Sequence, residues 1–139
     1  MRKGHREESL RWLAQAADEF QDAEDLRKRG RFYIALFHFQ QAAEKALKAY
    51  LYMKVRSTDV FFTHSIDELS KMAVEMDPDF RAILPAKKLD RYYIPTRYPN
   101  ALPGGVPSRY FDDPDEARTA MELGENVIKL AERKIKGSG

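Results

Sequence analysis

Apolar residues recur at steps of three and four between Glu8 and Arg29: Leu10, Leu13, Ala16, Ala17, Phe20, Ala23 and Leu26. That period lines one face of an α-helix. Asp18, Glu19, Asp22 and Asp25 fill much of the opposite, polar face. Gly30 is expected to stop this helix, because glycine enters the left-handed conformation at little cost. A break so short makes the next helix fold back antiparallel. That second helix is expected from about Phe32 to Lys54, a stretch with no Gly or Pro. It is rich in good helix formers. Phe32, Leu36, Phe39, Ala43, Ala46, Leu47, Tyr50 and Leu51 give it a broad apolar stripe. Leu47 should face the core, and Glu44 and Lys48 read as an exposed i,i+4 pair in the favourable order.

Residues 55–63 read as a loop with two strand-like pairs, too short for a sheet. Ser65-Ile66-Asp67-Glu68 is a capping box that starts a helix over 66–76. Pro78 separates it from a shorter helix over 79–93, which Pro85 kinks or restarts. Residues 94–113 hold Pro95, Pro99, Pro103, Gly104, Gly105 and Pro107. Such a density predicts a long loop without regular structure, the kind that carries function or moves. In the last helix Asp113 is the cap, Pro114 takes the first position and Glu116 completes the box. Ala117, Ala120, Met121, Gly124, Val127, Ile128, Ala131 and Ile135 form its core face, and residues 136–139 should fray. The expected fold is all-α: an antiparallel helical bundle of four to five helices with a long Pro/Gly loop before the last.

A chain of 139 residues is one domain, with a core over about 8–135. Its 43% hydrophobic and 33% charged residues suit a globular protein. The absence of cysteine excludes disulfides, thiolate metal sites and cysteine nucleophiles, and suits a reducing compartment. No run approaches the roughly 18 apolar residues of a membrane span, and no signal-peptide stretch follows the N-terminus. The expectation is a cytoplasmic protein without a membrane partner. Net charge is only +2, but residues 81–110 carry Arg81, Lys87, Lys88, Arg91, Arg97 and Arg109 against Asp90 alone. Four of the seven tyrosines, Tyr92, Tyr93, Tyr98 and Tyr110, lie in the same stretch. Interleaved this way, basic and aromatic groups can grip phosphates and stack on bases. They also suit a solvated charged face with its tyrosines on the core.

His5, His38 and His64 lie in different segments, with no HxxxH or HExxH spacing, so neither a metal site nor a cofactor is expected. No nucleophile elbow frames a serine. Gly104-Gly105 lacks the Lys-Ser/Thr that would follow in a phosphate loop. On the second helix His38, Gln41 and Lys45 share one stripe, and Gln40, Glu44 and Lys48 a neighbouring one. His38, between Phe37 and Phe39, reads first as a partly buried, hydrogen-bonded core residue.

Residues 33–51 contain the pattern HxQQAxEKxLKA, from His38 to Ala49. They resemble the signature helix of the HEPN family (higher eukaryotes and prokaryotes nucleotide-binding domain). Thr63-His64-Ser65-Ile66-Asp67-Glu68-Leu69 is similar to the family's second block, and Arg91-Tyr92-Tyr93-Ile94-Pro95-Thr96-Arg97-Tyr98-Pro99-Asn100 to its third. The resemblance implies a four- or five-helix bundle, a homodimer, and a nucleotide- or RNA-related role. It also implies a separately encoded minimal nucleotidyltransferase as partner protein, in some cases as a toxin–antitoxin pair. Active members are metal-independent ribonucleases with an Arg followed after four to six residues by His. Arg91 and Arg97 match the arginine, but no histidine follows His64. Cleavage needs an acceptor for the 2′-OH proton, which neither arginine nor an ordinary tyrosine supplies at neutral pH.

Three readings result. A binding module would use Arg91, Arg97 and Arg109 with Tyr98 and Tyr110, near His38, Gln41 and Lys45. A ribonuclease would use Arg97 with His38 or His64 from another helix or the dimer mate. A dimeric scaffold would need no ligand. The dimer is also expected because Phe37, Phe39, Tyr50 and Tyr52 point in different directions, more than one core should cover.

Overall fold

The apolar period of the first fifty residues folds as two long helices, α1 (Arg2–Lys28) and α2 (Phe32–Val55). They belong to a computed structural model that describes residues 2–55 and 58–137. α1 begins well before the expected Glu8, and the Arg6 guanidinium in its early turns donates to the Ile135 carbonyl at 2.7 Å. At its other end Gly30 takes φ +76°. The Gly30 N–H donates to Arg27 O at 3.0 Å and the Arg31 N–H to Leu26 O at 2.9 Å. These are the paired bonds of a Schellman turn. α2 then runs back antiparallel: Ser9 Oγ donates to Ala49 O, while Glu19, further along α1, reaches back to His38 and Lys45.

α2 is the central element. α1, α3 (Ile66–Met76), the 3₁₀ segment Pro78–Tyr92 and α5 (Pro114–Gly137) all pack against it. Ala35, Ala42, Ala43, Ala46 and Ala49 are buried and let its neighbours approach closely. Phe39 and Tyr50 are buried inside the protomer, and Phe37 and Tyr52 are half-buried. One core therefore covers most of the aromatic surface that had suggested a dimer patch. The exposed large apolar residues lie mainly elsewhere, and include Phe62, Ile94, Tyr98, Val106 and Tyr110.

After residues 56–57, Thr58–Phe61 forms a 3₁₀ turn rather than strand-like pairs. Its Phe61 stacks on Trp12 at 4.6 Å and lies 5.2 Å from Tyr52, an aromatic contact that fixes the turn to both long helices. α3 begins at the expected cap, with Ser65 Oγ accepting from the Glu68 N–H at 3.1 Å. Glu68 does not reach back to the Ser65 N–H. The Thr63 hydroxyl accepts that bond and donates to Glu68. Asp90 adds a second cap across space: its carboxylate accepts from Ile66 N at 2.8 Å and Asp67 N at 3.0 Å. A negative group suits the positive end of a helix, and here it ties Pro78–Tyr92 to the start of α3.

The expected helix over 79–93 is not an α-helix. It winds as successive 3₁₀ turns over Pro78–Tyr92. Pro85 cannot donate to an i−4 carbonyl, and at three residues per turn side chains at i and i+3 eclipse. Phe80, Ile83, Ala86, Leu89 and Tyr92, each three apart, are all buried. The proline-rich stretch is also more ordered than expected. Pro99 opens a 3₁₀ turn, Pro99–Ala101, and Pro107 opens a short helix, α4 (Pro107–Tyr110). Gly104, at φ +74°, turns the chain between them. In α5 Asp113 caps as expected, accepting from Asp115 N at 2.9 Å, but Glu116 accepts from the Tyr92 hydroxyl instead of closing a box. α5 stays helical through Gly137, so residues 136 and 137 do not fray; Ser138 and Gly139 lie outside the described residues.

The largest departure concerns Lys48. It is not exposed: its side chain and that of Glu44 are each 4% accessible, paired at 2.8 Å. Removing one partner leaves a buried charge uncompensated. Lys48→Ala is therefore expected to cost about 3–5 kcal/mol, comparable with about 2–5 kcal/mol for Leu47→Ala, which opens a core cavity. Urea melts check both. A loss below about 1 kcal/mol for Lys48→Ala would mean that Glu44 is satisfied without it.

Candidate functional site

Tyr92 anchors the segment that carries the key arginine. Its ring is buried, and its hydroxyl donates to Glu116 at 2.7 Å. Burial and then that hydrogen bond push its pKa well above the ordinary tyrosine range. From this anchor the chain turns tightly. Thr96 Oγ1 donates to Tyr92 O at 2.6 Å, Arg97 N to Ile94 O at 3.0 Å and Arg97 Nε to Tyr93 O at 2.8 Å. The last bond satisfies a carbonyl at the end of the 3₁₀ segment, so Arg97 does part of a capping role. Its charge is used differently. The guanidinium carbon lies 4.5 Å from the Phe37 ring centroid, 4.6 Å from Tyr93 and 5.1 Å from Tyr98. These are cation–π distances. No carboxylate of the described residues pairs with Arg97, and its terminal N–H groups make no bond within them.

Arg97 lines a cleft of about 450 Å³. Tyr33, Ile34, Phe37 and His38 contribute from α2, Thr96 and Pro99 from either side of Arg97, and Pro107 and Ser108 from α4. His38 faces it with one nitrogen committed elsewhere. Its Nδ1 lies 2.7 Å from Glu19 Oε2, and the other carboxylate oxygen accepts from Lys45 Nζ at 2.7 Å. Burial works to raise the Glu19 pKa. The hydrogen bonds from His38 and Lys45 outweigh it and hold the carboxyl below its usual range. An ionised carboxylate only accepts, so Nδ1 is the donor in this bond, and Nε2 makes no hydrogen bond among the described residues.

A second histidine repeats the arrangement. His64 Nδ1 lies 3.2 Å from Glu44 Oε2, which also accepts from Lys48 at 2.8 Å. Gln41 donates to Gln40 Oε1 at 2.8 Å and to Glu44 Oε1 at 3.3 Å, and accepts from Lys45 at 3.5 Å. The two histidine–carboxylate–lysine groups thus belong to one hydrogen-bonded network that joins α2 to Glu19 of α1 and to His64 before α3. The His64 ring stacks on Tyr93 at 5.0 Å, the same ring that holds Arg97.

The structure brings His38, Arg97 and Tyr98 to one place, with His64 next to it across Tyr93. Gln41 and Lys45 stand behind, within the network. Arg91 does not join them: it is exposed and lines a separate hollow of about 160 Å³ with Lys88, Glu116 and Leu123. Arg109 and Tyr110 are exposed on α4 and are not part of the cleft wall. Glu19, assigned to the polar face of the first helix, is only 9% accessible. Its signal was its spacing, three residues after Ala16 and four before Ala23, which places it on the apolar face. Phe37, Tyr93 and Tyr33 were also missed as parts of the site. Nothing in their spacing marks them, because each meets its partner through the fold.

The family model of the HEPN domain matches residues 9–134. Two solved structures are similar over 91% of this chain and 97% of their own. One is TT1696 from Thermus thermophilus, 34% identical with a TM-score of 0.77. The other is ST0689, described as an archaeal HEPN homologue, 26% identical with a TM-score of 0.71. No curated protein matches the chain.

The Glu19 group predicts an acid-side dependence. Its folded pKa lies below the unfolded reference of 4.5. The stability it contributes is therefore full above that value and is lost as pH falls through the folded pKa. Thermal melts from about pH 7 down to about pH 3 should show a smaller acid loss for Glu19→Gln than for wild type. Equal losses would show that Glu19 is not held ionised by His38 and Lys45.

Proposed function

The chain belongs to the HEPN domain family, and from that premise we propose that it is a nucleotide- or RNA-binding module. It acts as a homodimer beside a separately encoded minimal nucleotidyltransferase, in the manner of a toxin–antitoxin pair. The observation that carries the binding reading is Arg97: an unpaired guanidinium, held by Phe37, Tyr93 and Tyr98, at the wall of a cleft. The aromatic rings surround it and Nε–H is bound to the Tyr93 carbonyl, which leaves the terminal N–H groups for a phosphate. Tyr98, 48% accessible, offers a face on which a base can stack. Ile94, Val106 and Tyr110, exposed outside the cleft wall, support the homodimer.

A second reading, a metal-independent ribonuclease, is favoured by one observation. His38 lines the cleft that Arg97 lines, with Nδ1 fixed and Nε2 free. It supplies from α2 the proton acceptor that the sequence lacks after Arg97. His38 would take the 2′-OH proton as the 2′-oxygen bonds to phosphorus and the P–O5′ bond breaks, the 5′-oxygen leaving with a proton from water, and Arg97 would stabilise the charge on the non-bridging phosphoryl oxygens.

Nucleotides and short RNAs titrated into wild type and Arg97→Ala at two salt concentrations, with parallel thermal melts, test the reading. Arg97→Ala should weaken binding by about tenfold or more and flatten the salt dependence by about one phosphate contact. Unchanged binding with a large fall in melting temperature would reduce Arg97 to a structural residue, and no binding by wild type would leave the scaffold. RNA cleavage abolished by His38→Ala would favour the ribonuclease. Light scattering at micromolar concentration should give about twice 16.1 kDa; a clean monomer would remove the dimer.

A further inference from the structure

We propose that the cleft holds a single phosphate between Arg97 and His38, and that His38 must be protonated to make its share of the contact. The cleft then takes up a proton with its ligand and binds more tightly as pH falls. The inference rests on the binding reading above and adds a pH dependence to it.

Both side chains line the same cleft, and both lie against one ring of its wall. The Arg97 guanidinium carbon is 4.5 Å from the Phe37 centroid, and the His38 ring centre is 5.1 Å from it. The two groups can be no further apart than those distances laid end to end, about 10 Å, a span that one phosphate bridges when it accepts a charge-assisted hydrogen bond from each side. His38 can reach the ligand through one nitrogen only. Nδ1 is engaged with Glu19 at 2.7 Å, and Glu19 is not part of the cleft wall. The Nδ1 edge of the ring therefore turns away towards α1, and the Nε2 edge is the one left for the cleft.

The tautomer decides what Nε2 can do. With Nδ1 the donor to Glu19, a neutral His38 presents Nε2 as a bare acceptor, which repels a phosphate oxygen; only the imidazolium donates from both nitrogens. The charged groups around the ring are Glu19 from α1, Lys45 from its own helix and Arg97 across the cleft. Of the other residues in the wall Tyr33 alone titrates; Pro107 and Ser108 of α4 do not. Without a ligand, Arg97 opposes a second positive charge, and Lys45 already matches the charge of Glu19. A phosphate between the two cations reverses that balance and favours the imidazolium. The ribonuclease reading needs the opposite state, a neutral His38 that accepts a proton. Binding and cleavage therefore run in opposite directions with pH.

Calorimetric titration of the dinucleotide d(TpT) from about pH 8 to about pH 5 tests this, in two buffers that differ in ionisation enthalpy and with a thermal melt at each pH. The probe keeps one negative charge throughout, and without a 2′-hydroxyl it cannot be cleaved by the route above. Wild type should bind about tenfold more tightly at the acid end, the value of one charge-assisted hydrogen bond, and should take up a proton on binding. His38→Gln should abolish both the rise and the proton uptake, and His38→Asn repeats the comparison if that variant melts early. Arg97→Ala should weaken binding at every pH. Binding that is equally tight across the range overturns the proposal and leaves the binding reading intact. So does a rise that survives His38→Gln, or one that disappears in His64→Gln instead. Binding insensitive to Arg97→Ala, or no binding by wild type at any pH, overturns the binding reading and this inference with it.

Discussion

α2 is enclosed by other elements along most of its length, and each polar group it buries must find a partner inside the protein. Gln40 is fully buried, and Glu44 and Lys48 are nearly so. An unpaired group there would carry its whole desolvation cost. The solution is a network that runs outward from the helix: Lys48 to Glu44, Glu44 to His64, Gln40 to the His64 carbonyl, and Lys45 to both Gln41 and Glu19. A buried ion pair adds little net stability over an apolar pair of the same size. What this one does is hold position. Both histidines are aimed by carboxylates that the enclosure of α2 keeps in place, so the arrangement of the site is inherited from the packing of the core.

The charge balance follows from the same network. Glu19 and Glu44 each meet a lysine as well as a histidine. Each carboxylate is already neutralised when its histidine is neutral, and Arg97 has no counter-charge at all. Where α2 meets the proline-rich stretch, the charge of Arg97 is therefore not cancelled by an ion pair among the described residues. Phe37 and Tyr93 stabilise the cation there through their ring faces instead of through an opposing carboxylate. A carboxylate partner would have cancelled the field that draws an anion in.

The long helices were legible because each obeys a 3.6-residue period and ends in recognisable chemistry, Gly30 for α1, Ser65 for the start of α3 and Asp113 for α5. Pro78–Tyr92 was legible as helical but not in kind. Phe80, Ile83, Ala86, Leu89 and Tyr92 repeat every three residues, a strict period that belongs to the 3₁₀ helix. Glu19 was misplaced because residue type was weighed above position, and Lys48 because α2 is buried on almost every side, which a single apolar stripe does not announce. Within the site, Arg97 and His38 could be named from the chain because residue type and motif mark them. That they share a cleft while Arg91 turns elsewhere depends on where the 3₁₀ segment ends. Tyr33 carried no signal, since its relevance arises only when Pro99 and Pro107 line the same cleft.

The strict three-residue period of Pro78–Tyr92 also constrains how relatives can differ in length. The segment is fastened at one end by Asp90 to the start of α3, and just beyond its last turn it delivers Tyr93 and Arg97 to α2. One residue inserted before Asp90 would rotate everything after it by about a third of a turn. The buried row would move off the core, and the Asp90 cap would be lost. Three inserted residues would preserve the rotation but advance the chain by about 6 Å, roughly a full turn of α2. The guanidinium would then slide past Phe37 along the helix. Length variation among homologues should therefore collect in the stretch from Asn100 to Val106, beyond the last bond that fixes Arg97, while the spacing from Asp77 to Arg97 stays constant.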